Sequence, residues 1–566
     1  MDMNTRAIYW LKRDFRLADN SALTAALTTY DEVVLCFILE PSALAAPETS
    51  EFHLHAQCDA FNGLFLDLRS RLKHKHLTPI GFSRREVIPT LDLLFTAEPF
   101  THLVSHLETG GNRTFERDKA VAAWCKSTGV SWAEHRQTGV FRGPLNRDKR
   151  QKDWQAFYYT PALPVPGNLE KIGMPLPYAE PLKLPSEITP SPKPSDEVKD
   201  TWSHQPNLFG EISQGPLSPK QFGRALTAEQ RRYVQPVNET AAAVTLNSFM
   251  NERGLGYSKG ISSPNKAFYR CSRLSVHFAW GTISGRQAYQ TVNAHIGTLK
   301  ESKAKNAGTW RKNLRSFLSR LHWRDHFTQR LETEVKMEYR PLNPNFWDIQ
   351  LENDPIKLNA WITGHTGFAL VDACIRCMAT TGYINFRMRA MLTSTAAHIL
   401  HLDFRHIDKP MARLYTDYEP GIHLAQLQMQ AGMVGINTLR TYSPEKQIID
   451  QDPQCHFIHR WVPELRPFSA KEIIGRDLTE GLGDYPAAIA DRTERVKAYW
   501  KIIGDLKLQP GGREITEKVF IKHGSRRRPS KPKSQKKPSA KRMGSGTPVS
   551  HKKPKKNTQQ LSLWPL

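Results

Sequence analysis

The sequence predicts two folded domains in succession, a doubly wound α/β domain with a parallel sheet and then an all-α domain, followed by a disordered basic tail. Three observations support this. Short apolar runs alternate with amphipathic stretches near the N-terminus, long helical stretches with almost no strand candidates follow residue 227, and the last residues are basic and poor in apolar side chains. The predicted ranges are 1–137 for the α/β domain, 138–217 for a linker, 218–517 for the all-α domain and 518–566 for the tail.

The α/β domain is predicted from continuous apolar runs, which are typical of parallel strands buried on both faces. A helix between the second and third strands is indicated by apolar residues that recur every three or four positions from Leu54 to Leu72. A charged helix around 116–125 separates the last two strands. The strand candidates are residues 7–10, 33–39, 78–82, 101–105 and 130–133.

The remaining segments are predicted from composition and periodicity. Prolines and weak periodicity over 138–216 indicate a long interdomain connection. Helical stretches follow at 314–331, 368–379 and 388–401. From residue 525 the chain carries 13 Lys and Arg and no acidic residue, so charge repulsion and prolines predict a disordered tail.

Composition limits the class of protein. The 566 residues include 79 Lys and Arg against 55 Asp and Glu, and this net charge of +24 indicates a polyanionic partner. Seven scattered cysteines fit reduced core thiols better than a disulfide framework. No stretch of 18 apolar residues and no signal peptide is present, so a cytoplasmic protein without membrane segments is expected.

The first motif lies where the first strand leads into a helix. Residues 10–23 read WLKRDFRLADNSAL, a basic loop in which Asp19 or Asn20 is available as the helix N-cap. Its spacing resembles the N-terminal signature of the photolyase and cryptochrome family. That resemblance implies an α/β domain followed by an all-α flavin domain, the order that the apolar pattern predicts independently.

The resemblance continues through the helical half. Residues 271–275 and 280–286 resemble the family's loop for the FAD phosphates and the helix that follows, with Cys271 where threonine is usual. Further motifs follow in family order at 321–327, 366–373, 381–389 and 460–465. FAD is therefore the implied cofactor, and the implied FAD-binding residues are Tyr257, Cys271, Ser272, Arg273, Leu274, Ser275, Arg324, Arg389, Asp417, Glu419 and His423.

The resemblance also implies individual roles. Arg273, Ser272 and Ser275 would hold phosphates, a role that suits an arginine and small hydroxyls. Arg389 would pair with Asp417 at the edge of the isoalloxazine ring. His423 would face flavin N5 and tune the flavin through its own protonation, and the alternative is a histidine satisfied within its helix.

Three family positions depart from the usual pattern of an electron relay. The tryptophans of that relay align with Leu351, Phe404 and Leu427, which are not easily oxidised, so the standard relay is expected to be absent. Whether other aromatic side chains replace it or only fill the core is left open. Those candidates are Trp310, Trp347, Tyr383, Tyr415 and Tyr418.

The implied pocket for a DNA lesion also departs from the family. Trp323 matches the tryptophan that stacks on the lesion, but Arg320 replaces a glutamate and Met429 replaces a second tryptophan. Asn385 and Phe386 stand where histidine and asparagine are expected. The predicted catalytic set is Trp323, His423, Arg389 and Asp417, with Trp323 and Met429 as DNA contacts.

No metal site is predicted. Cys374 and Cys377 lie within one predicted helix without a second close pair, which favours core thiols over an iron–sulfur cluster. The histidine pairs at 322 and 326 and at 398 and 401 lack a clear third ligand. Structural histidines are the better interpretation of both pairs.

The tail combines two patterns. Its basic run suits a nonspecific phosphate-binding arm, and the alternative is a tail that only aids solubility. The last seven residues, QLSLWPL, resemble the peptide with which bacterial replication and repair proteins bind the sliding clamp. In that mode Gln560 and Leu561 begin the peptide, and Leu563 and Trp564 fill apolar pockets.

The function that the resemblance implies is light-dependent repair of UV-damaged DNA, in which electron transfer from reduced FAD splits cyclobutane pyrimidine dimers. The alternatives are repair of the (6-4) lesion, a cryptochrome-type blue-light photoreceptor, or a DNA-binding scaffold that keeps FAD only for structure. An antenna chromophore, a folate or a deazaflavin, stays unidentified. The expected protein is a monomer in the bacterial cytoplasm, associated with the nucleoid.

Overall fold

Strands and helices alternate through the first part of the chain, which confirms the predicted α/β architecture. The computed structural model describes residues 5–72, 78–143, 147–173, 212–213, 217–302, 305–436 and 438–524. The strands of this part are β1 (Arg6–Leu11), β2 (Glu32–Ile38), β3 (Gly81–Ser83), β4 (His102–His106) and β5 (Ser131–His135). Its helices are α1 (Ser21–Thr29), α2 (Pro41–Ala45), α3 (Glu51–Arg71), α4 (Val87–Ala97) and α5 (Asn112–Thr128).

The five strands form a parallel sheet in the order β5-β4-β1-β2-β3. A short strand, β6 (Ile212–Ser213), adds antiparallel to β3 at one edge. The central strands β1 and β2 are almost wholly buried, because helices cover both faces of the sheet. The loop after β1, at residues 12–20, leaves the carboxyl edge of the sheet, where such folds bind ligands.

The segment predicted as a linker contains regular structure. A 13-residue helix, α6 (Arg147–Tyr159), lies within it, and a 3-10 turn follows at Leu169–Lys171. The helix is anchored by Trp154 and Tyr158, which pack into an apolar cluster of the helical part. Its largely polar sequence hides this anchoring, since only one end of the helix contributes apolar side chains.

The second part is all-helical among the described residues after 217, as predicted. Its centre is α13 (Ala307–Thr333), a helix of 27 residues. The preceding helices are α7 (Ala228–Tyr233), α8 (Glu239–Asn251), α9 (Tyr257–Gly260), α10 (Pro264–Arg270), α11 (Ser275–Trp280) and α12 (Gly285–Glu301). The following helices are α14 (Pro355–Thr363), α15 (Ala369–Thr381), α16 (Phe386–His398), α17 (Phe404–Ala412), α18 (Pro420–Gln430), α19 (Pro444–Gln451), α20 (His456–Trp461), α21 (Ala470–Gly475), α22 (Arg492–Leu508) and α23 (Gly512–His523).

The last helix extends beyond residue 517, the predicted end of the all-α domain. Val519 of α23 is buried in a cluster with Phe327 and Leu331 of α13, so apolar packing continues the ordered structure to His523. The predicted basic run and clamp-binding peptide, including Gln560, Leu561, Leu563 and Trp564, lie outside the described residues. No helix in the described part of the chain is long and apolar enough to cross a membrane.

The two parts meet at the loop after β1. Asn20 is the N-cap of α1, because its side chain accepts a hydrogen bond from the Leu23 amide at 2.9 Å. Asp19, the other candidate, instead has φ +53° and pairs with Arg286 and Ser284 of the helical part. Gly281 approaches so closely that a Cβ there would collide with the carbonyl of Arg13. This loop therefore joins the domains.

Candidate functional site

The helical part surrounds a cavity of about 1520 Å³, including its open mouth. Most residues that the resemblance assigned to FAD and to the lesion line this cavity. They are Tyr257, Cys271, Ser272, Arg273, Ser275, Trp323, Arg324, Arg389, Asp417, Glu419 and His423. Two predicted residues do not line it. Leu274 is wholly buried in one apolar cluster, and Met429 packs against another, as Trp323 also does.

A loop of unusual backbone forms one wall of the cavity. Arg273 has φ +61°, a left-handed conformation that is rare for a residue with a side chain. Arg253 fixes the loop from behind, since its guanidinium donates to the carbonyls of Cys271 and Ser272. The Arg273 guanidinium carbon lies 3.5 Å from the ring centroid of Tyr383. The loop is thus held in a conformation that places the Arg273 guanidinium at the cavity wall.

The predicted Arg389–Asp417 pair is present. Arg389 Nη2 donates to Asp417 Oδ2 at 3.1 Å, and Arg389 Nε donates to the Ile384 carbonyl at 2.9 Å. Burial alone would raise the pKa of Asp417, but the charge of Arg389 and its hydrogen bond hold that pKa below its usual value. Asp417 is therefore ionised at neutral pH, and it presents an acceptor to the cavity.

A second ion pair joins α13 to the start of α18. Arg324 donates to both carboxylate oxygens of Glu419, at 3.1 Å from Nε and 2.5 Å from Nη2. Burial alone would lower the pKa of Arg324, whereas the charges of Glu419 and Asp325 raise it above its usual value. This bidentate pair fixes the N-terminus of α18 against α13.

The same helix α13 is braced from the connecting segment through Asp325. Its Oδ2 accepts hydrogen bonds at 2.9 Å from the Gly139 amide, from Trp154 Nε1 and from the Tyr158 hydroxyl. The carboxylate is fully buried. The cavity wall on α13 is therefore tied to α6.

His423 has a partner that the sequence did not reveal. Its Nε2 lies 3.0 Å from Asp408 Oδ1 and 3.1 Å from the Asp408 carbonyl. Asp408 Oδ2 lies 3.2 Å from Lys409 Nζ. Burial alone would raise the pKa of Asp408, but its contact with His423 and the charge of Lys409 keep that pKa below its usual value. Asp408 orients the imidazole of His423.

Several buried polar atoms along the cavity have no hydrogen-bond partner among the described residues. Such atoms cost free energy unless a ligand satisfies them. Both donors and an ionised acceptor are present, which suits a ligand with phosphates and with ring N–H and carbonyl groups. The atoms are Arg273 Nη1, Arg320 Nε, Asn385 Oδ1, Asp417 Oδ1 and Gln426 Nε2. The cavity thus fits a dinucleotide cofactor with a flavin ring.

Phe386 is a further lining residue, at the N-terminus of α16. It is 41% exposed, and among the described residues of the cavity wall it is the one large apolar side chain that is exposed. The sequence showed only that it departs from the family pattern. Nothing else in the sequence distinguishes an exposed phenylalanine at a cavity mouth from one in the core.

At the three positions where the family has relay tryptophans, this chain has apolar side chains that pack in or against the core. Phe404 and Leu427 are buried in the core of the helical part, and Leu351 packs against it. Tyr418, one of the open aromatic candidates, lines the cavity and has its ring centroid 5.5 Å from that of His53. Tyr415 and Tyr418 both contact His423, at 5.9 and 5.4 Å between ring centroids.

A second cavity lies between the sheet and the helical part, with a volume of about 1020 Å³ including open solvent. Its wall includes Glu108, Gly110 and Gly111 of the loop after β4 and Arg113 and Thr114 at the start of α5. Other lining residues come from the loop after β1 and from α3, and Tyr418 lines both cavities. Arg117 lies along one side of this cavity, where its guanidinium donates to the carboxylates of Glu108 at 2.6 Å and Glu40 at 3.1 Å.

The cysteines and histidines form no metal centre in the described part of the chain, where no group of three ligating side chains occurs. Cys374 and Cys377 are fully buried in the core of the helical part. Burial raises the pKa of the Cys377 thiol to about 12. Both are protonated core residues.

The chain matches two family models. Residues 7–158 match the model described as DNA photolyase, and residues 317–504 match the model described as the FAD binding domain of DNA photolyase. The second match contains α16, α18 and α13 from Phe317 onward, and most residues that line the main cavity fall within it.

Known proteins resemble the chain over most of its length. A deoxyribodipyrimidine photo-lyase of a Synechococcus strain is 24% identical, over 88% of this chain and 96% of the relative. A tomato (Solanum lycopersicum) cryptochrome DASH is 23% identical, over 81% of this chain and 77% of the relative. The crystal structure of a class III photolyase from Agrobacterium tumefaciens has the same fold, with a TM-score of 0.69, 19% identity and coverage of 90% and 98%.

Proposed function

Because the chain belongs to the photolyase and cryptochrome family, we propose that it is a light-dependent DNA repair enzyme that splits cyclobutane pyrimidine dimers in UV-damaged DNA. FAD is its cofactor. One observation carries the proposal. A single cavity combines polar side chains suited to binding FAD with an aromatic wall on which a DNA base could stack. Trp323 and the exposed Phe386 supply that wall.

The residues that would hold FAD are those with unsatisfied or charged groups at the cavity. Arg273 supplies a cation and Ser272 and Ser275 supply hydroxyls for the pyrophosphate. Arg389 and ionised Asp417 would bind the flavin edge, which carries both acceptors and a donor. His423, oriented by Asp408, would face the ring.

When bound and fully reduced, FAD would donate an electron to the lesion after it absorbs light. The protein's own contribution is to bind a dinucleotide that has left the duplex, to orient it and to exclude water. Flat faces of Trp323 and Phe386 suit stacking on pyrimidine rings, a contact worth about 1–3 kcal/mol per base. The Arg324–Glu419 pair holds α13, which bears Trp323, against α18, which bears His423.

The residues at the three relay positions favour repair over photosensing. Leucine and phenylalanine at 351, 404 and 427 cannot carry an electron from the surface to the flavin, a step on which a photoreceptor of this type depends. The cryptochrome alternative is supported by the tomato relative and by the altered lesion pocket. Repair of the (6-4) lesion is the further alternative, because Arg320 replaces the glutamate expected in the pocket.

The partners are proposed on the same basis. UV-damaged DNA is the substrate of a monomeric protein, and the basic tail grips phosphates in its neighbourhood. The C-terminal peptide recruits the protein to the bacterial sliding clamp. The second cavity is proposed to hold the antenna chromophore, a folate or a deazaflavin, because the loop after β1, the loop after β4 and the start of α5 all line it.

The test uses chemically reduced holoprotein and an oligonucleotide with one cyclobutane dimer, under blue light and in the dark. Chemical reduction removes any need for an electron relay. We expect light-dependent loss of the dimer, and a Trp323→Ala variant should bind the lesion about tenfold or more weakly. Trp500→Ala, which alters an exposed tryptophan on α22, is the matched control. Reduced, FAD-loaded protein that leaves the dimer intact would refute the proposal, and the (6-4) oligonucleotide would then be tested.

A further inference from the structure

Two buried arginines lie close together near the contact between α6 and α13. Arg150 belongs to the first turn of α6 and Arg330 to the last turn of α13. They are only 5% and 6% exposed. Burial and the charge of Arg150 lower the pKa of Arg330 to about 10. Two like charges are therefore held near each other with little access to water.

No carboxylate of the protein pairs with either charge. In the ranges that the structure describes, neither Arg150 nor Arg330 forms an ion pair, and burial lowers the pKa of Arg150 although the charge of Asp325 opposes that effect. The acidic side chains in the last turns of α13 and at its end already have other partners. They are Asp325 with Arg324, Glu332 with Arg142, and Glu334 with Lys522.

Four nitrogen atoms of the two guanidinium groups are buried without a hydrogen-bond partner in the described part of the chain. They are Nε and Nη2 of Arg150 and Nε and Nη1 of Arg330. Nε and Nη2 are the two atoms with which Arg324 binds both oxygens of Glu419. The corresponding edge of Arg150 is thus ready for a bidentate contact with an oxyanion.

Arg330 is already oriented by its remaining nitrogen. Its Nη2 donates to His326 Nε2 at 3.3 Å and to the His523 carbonyl at 3.4 Å. These contacts fix the guanidinium and leave Nε and Nη1 for another acceptor. The arginine is therefore positioned before any ligand arrives, which lowers the entropic cost of binding.

The number of unused donors indicates the class of ligand. Buried charged donors without partners cost free energy, so a group that satisfies them binds favourably. Such a ligand needs two oxygens for Arg150, a further oxygen for Arg330, and negative charge for both. A carboxylate has too few oxygens, and a phosphodiester of DNA has only two unbridged oxygens and one charge. Inorganic phosphate has more oxygens and up to two charges at neutral pH.

We propose that Arg150 and Arg330 form a binding site for a small tetrahedral oxyanion, inorganic phosphate, which bridges α6 and α13. The bridge adds to the hydrogen bonds by which Trp154 and Tyr158 tie α6 to Asp325. Because Trp323 is on the same helix as Arg330, the bound anion steadies one wall of the main cavity. The inference is independent of the proposed function, since it involves neither a lesion nor light.

The test measures binding of radiolabelled inorganic phosphate by equilibrium dialysis at constant ionic strength. It compares full-length, FAD-loaded wild type with Arg150→Met and Arg330→Met, which keep an unbranched side chain and lose the charge. Arg315→Met is the matched control, because Arg315 is exposed on α13. The basic tail is present in every protein, so its own phosphate binding cancels in the comparison.

We expect wild type and Arg315→Met to bind one phosphate per chain more tightly than either site variant does. Sulfate should displace this phosphate, whereas chloride at equal ionic strength should not. Each site variant should bind about tenfold or more weakly, because it loses charged hydrogen bonds.

Thermal unfolding gives a second readout. Without phosphate, Arg330→Met should unfold at or above the wild-type temperature, since it removes an unpaired buried charge. Saturating phosphate should raise the unfolding temperature of wild type by more than that of either site variant, because the ligand binds only the folded protein.

Three results would overturn the inference. The first is phosphate binding that is equal in wild type and both site variants, and the second is an equal response of their unfolding temperatures to phosphate. The third is displacement of the bound phosphate by an undamaged oligonucleotide without a terminal phosphate, which would assign the site to the DNA backbone instead of a free anion.

Discussion

Asp19 offers a direct test of how the two domains are held together. Its carboxylate accepts from the Leu163 amide at 3.0 Å, from Arg286 Nε at 3.0 and 3.1 Å, and from Ser284. Asp19→Ala removes all of these and leaves the buried Arg286 guanidinium unpaired. Breaking a buried pair by removing one partner costs about 3–5 kcal/mol. We expect the free energy of unfolding to fall by this amount.

The assay is urea denaturation at pH 7, followed by far-UV circular dichroism and by release of flavin. Asp505→Ala, an exposed carboxylate on α22, should change the unfolding free energy by no more than about 0.5 kcal/mol. A fall of less than about 1 kcal/mol for Asp19→Ala would refute the reasoning, because it would mean that water replaces the carboxylate at Arg286.

The same carboxylate predicts a pH dependence. Burial alone would raise the pKa of Asp19, but hydrogen bonds from Arg286, Ser284 and the Leu163 amide lower it below its usual value. A folded pKa below the unfolded value contributes stability that is present above the unfolded pKa of about 3.9 and is lost as the pH falls through the folded pKa. The gap between wild type and Asp19→Ala should therefore be constant near neutrality and close below about pH 4. A gap that stays constant through acid pH would contradict the assignment.

Three other predictions concern the cofactor and the tail. Asp417→Asn should weaken FAD binding by about 1.5–3 kcal/mol, because it removes the charged partner of Arg389. The affinity is measured by titrating apoprotein with FAD, and an unchanged affinity would show that Asp417 does not bind the cofactor. Replacing Leu563 and Trp564 by Ala should abolish binding in a pull-down with the bacterial sliding clamp while FAD content stays the same, and retained binding would dismiss the peptide. Deleting residues 525–556 should reduce the slope of log affinity against log salt for undamaged DNA by about one for each phosphate that the tail neutralises, whereas an unchanged slope would place the binding on the folded domains.

The sheet was predictable from the sequence because burial on both faces leaves continuous apolar runs, as in β1 and β2. Helix α6 was not predictable, since its anchoring depends on Trp154 and Tyr158, whose partners lie more than 80 residues away in the chain. The resemblance to the family predicted that Arg389 and Asp417 form a pair, and their side chains are hydrogen-bonded in the structure.

Sequence spacing could not reveal partners that meet only in the fold. Asp408 belongs to α17 and His423 to α18, and nothing in the intervening residues indicates that their side chains touch. The resemblance assigns Leu274 to FAD along with its neighbours in the loop, but its side chain turns into the apolar cluster. Whether a residue of a lining loop faces the cavity or the core is decided by backbone conformation, here by the positive φ of Arg273.

Helix α13 carries Arg320, Trp323, Arg324 and Asp325 within six consecutive positions. The first three line the main cavity, and Asp325 accepts a hydrogen bond from Trp154 of α6. One added or deleted residue in an α-helix turns everything beyond it by about 100° and shifts it by about 1.5 Å. An insertion between Phe317 and Arg320 would therefore misdirect either the wall of the cavity or the buried anchor, since the two cannot be rotated separately. A change of length in this stretch should therefore be more damaging in laboratory evolution than any single exchange of a side chain.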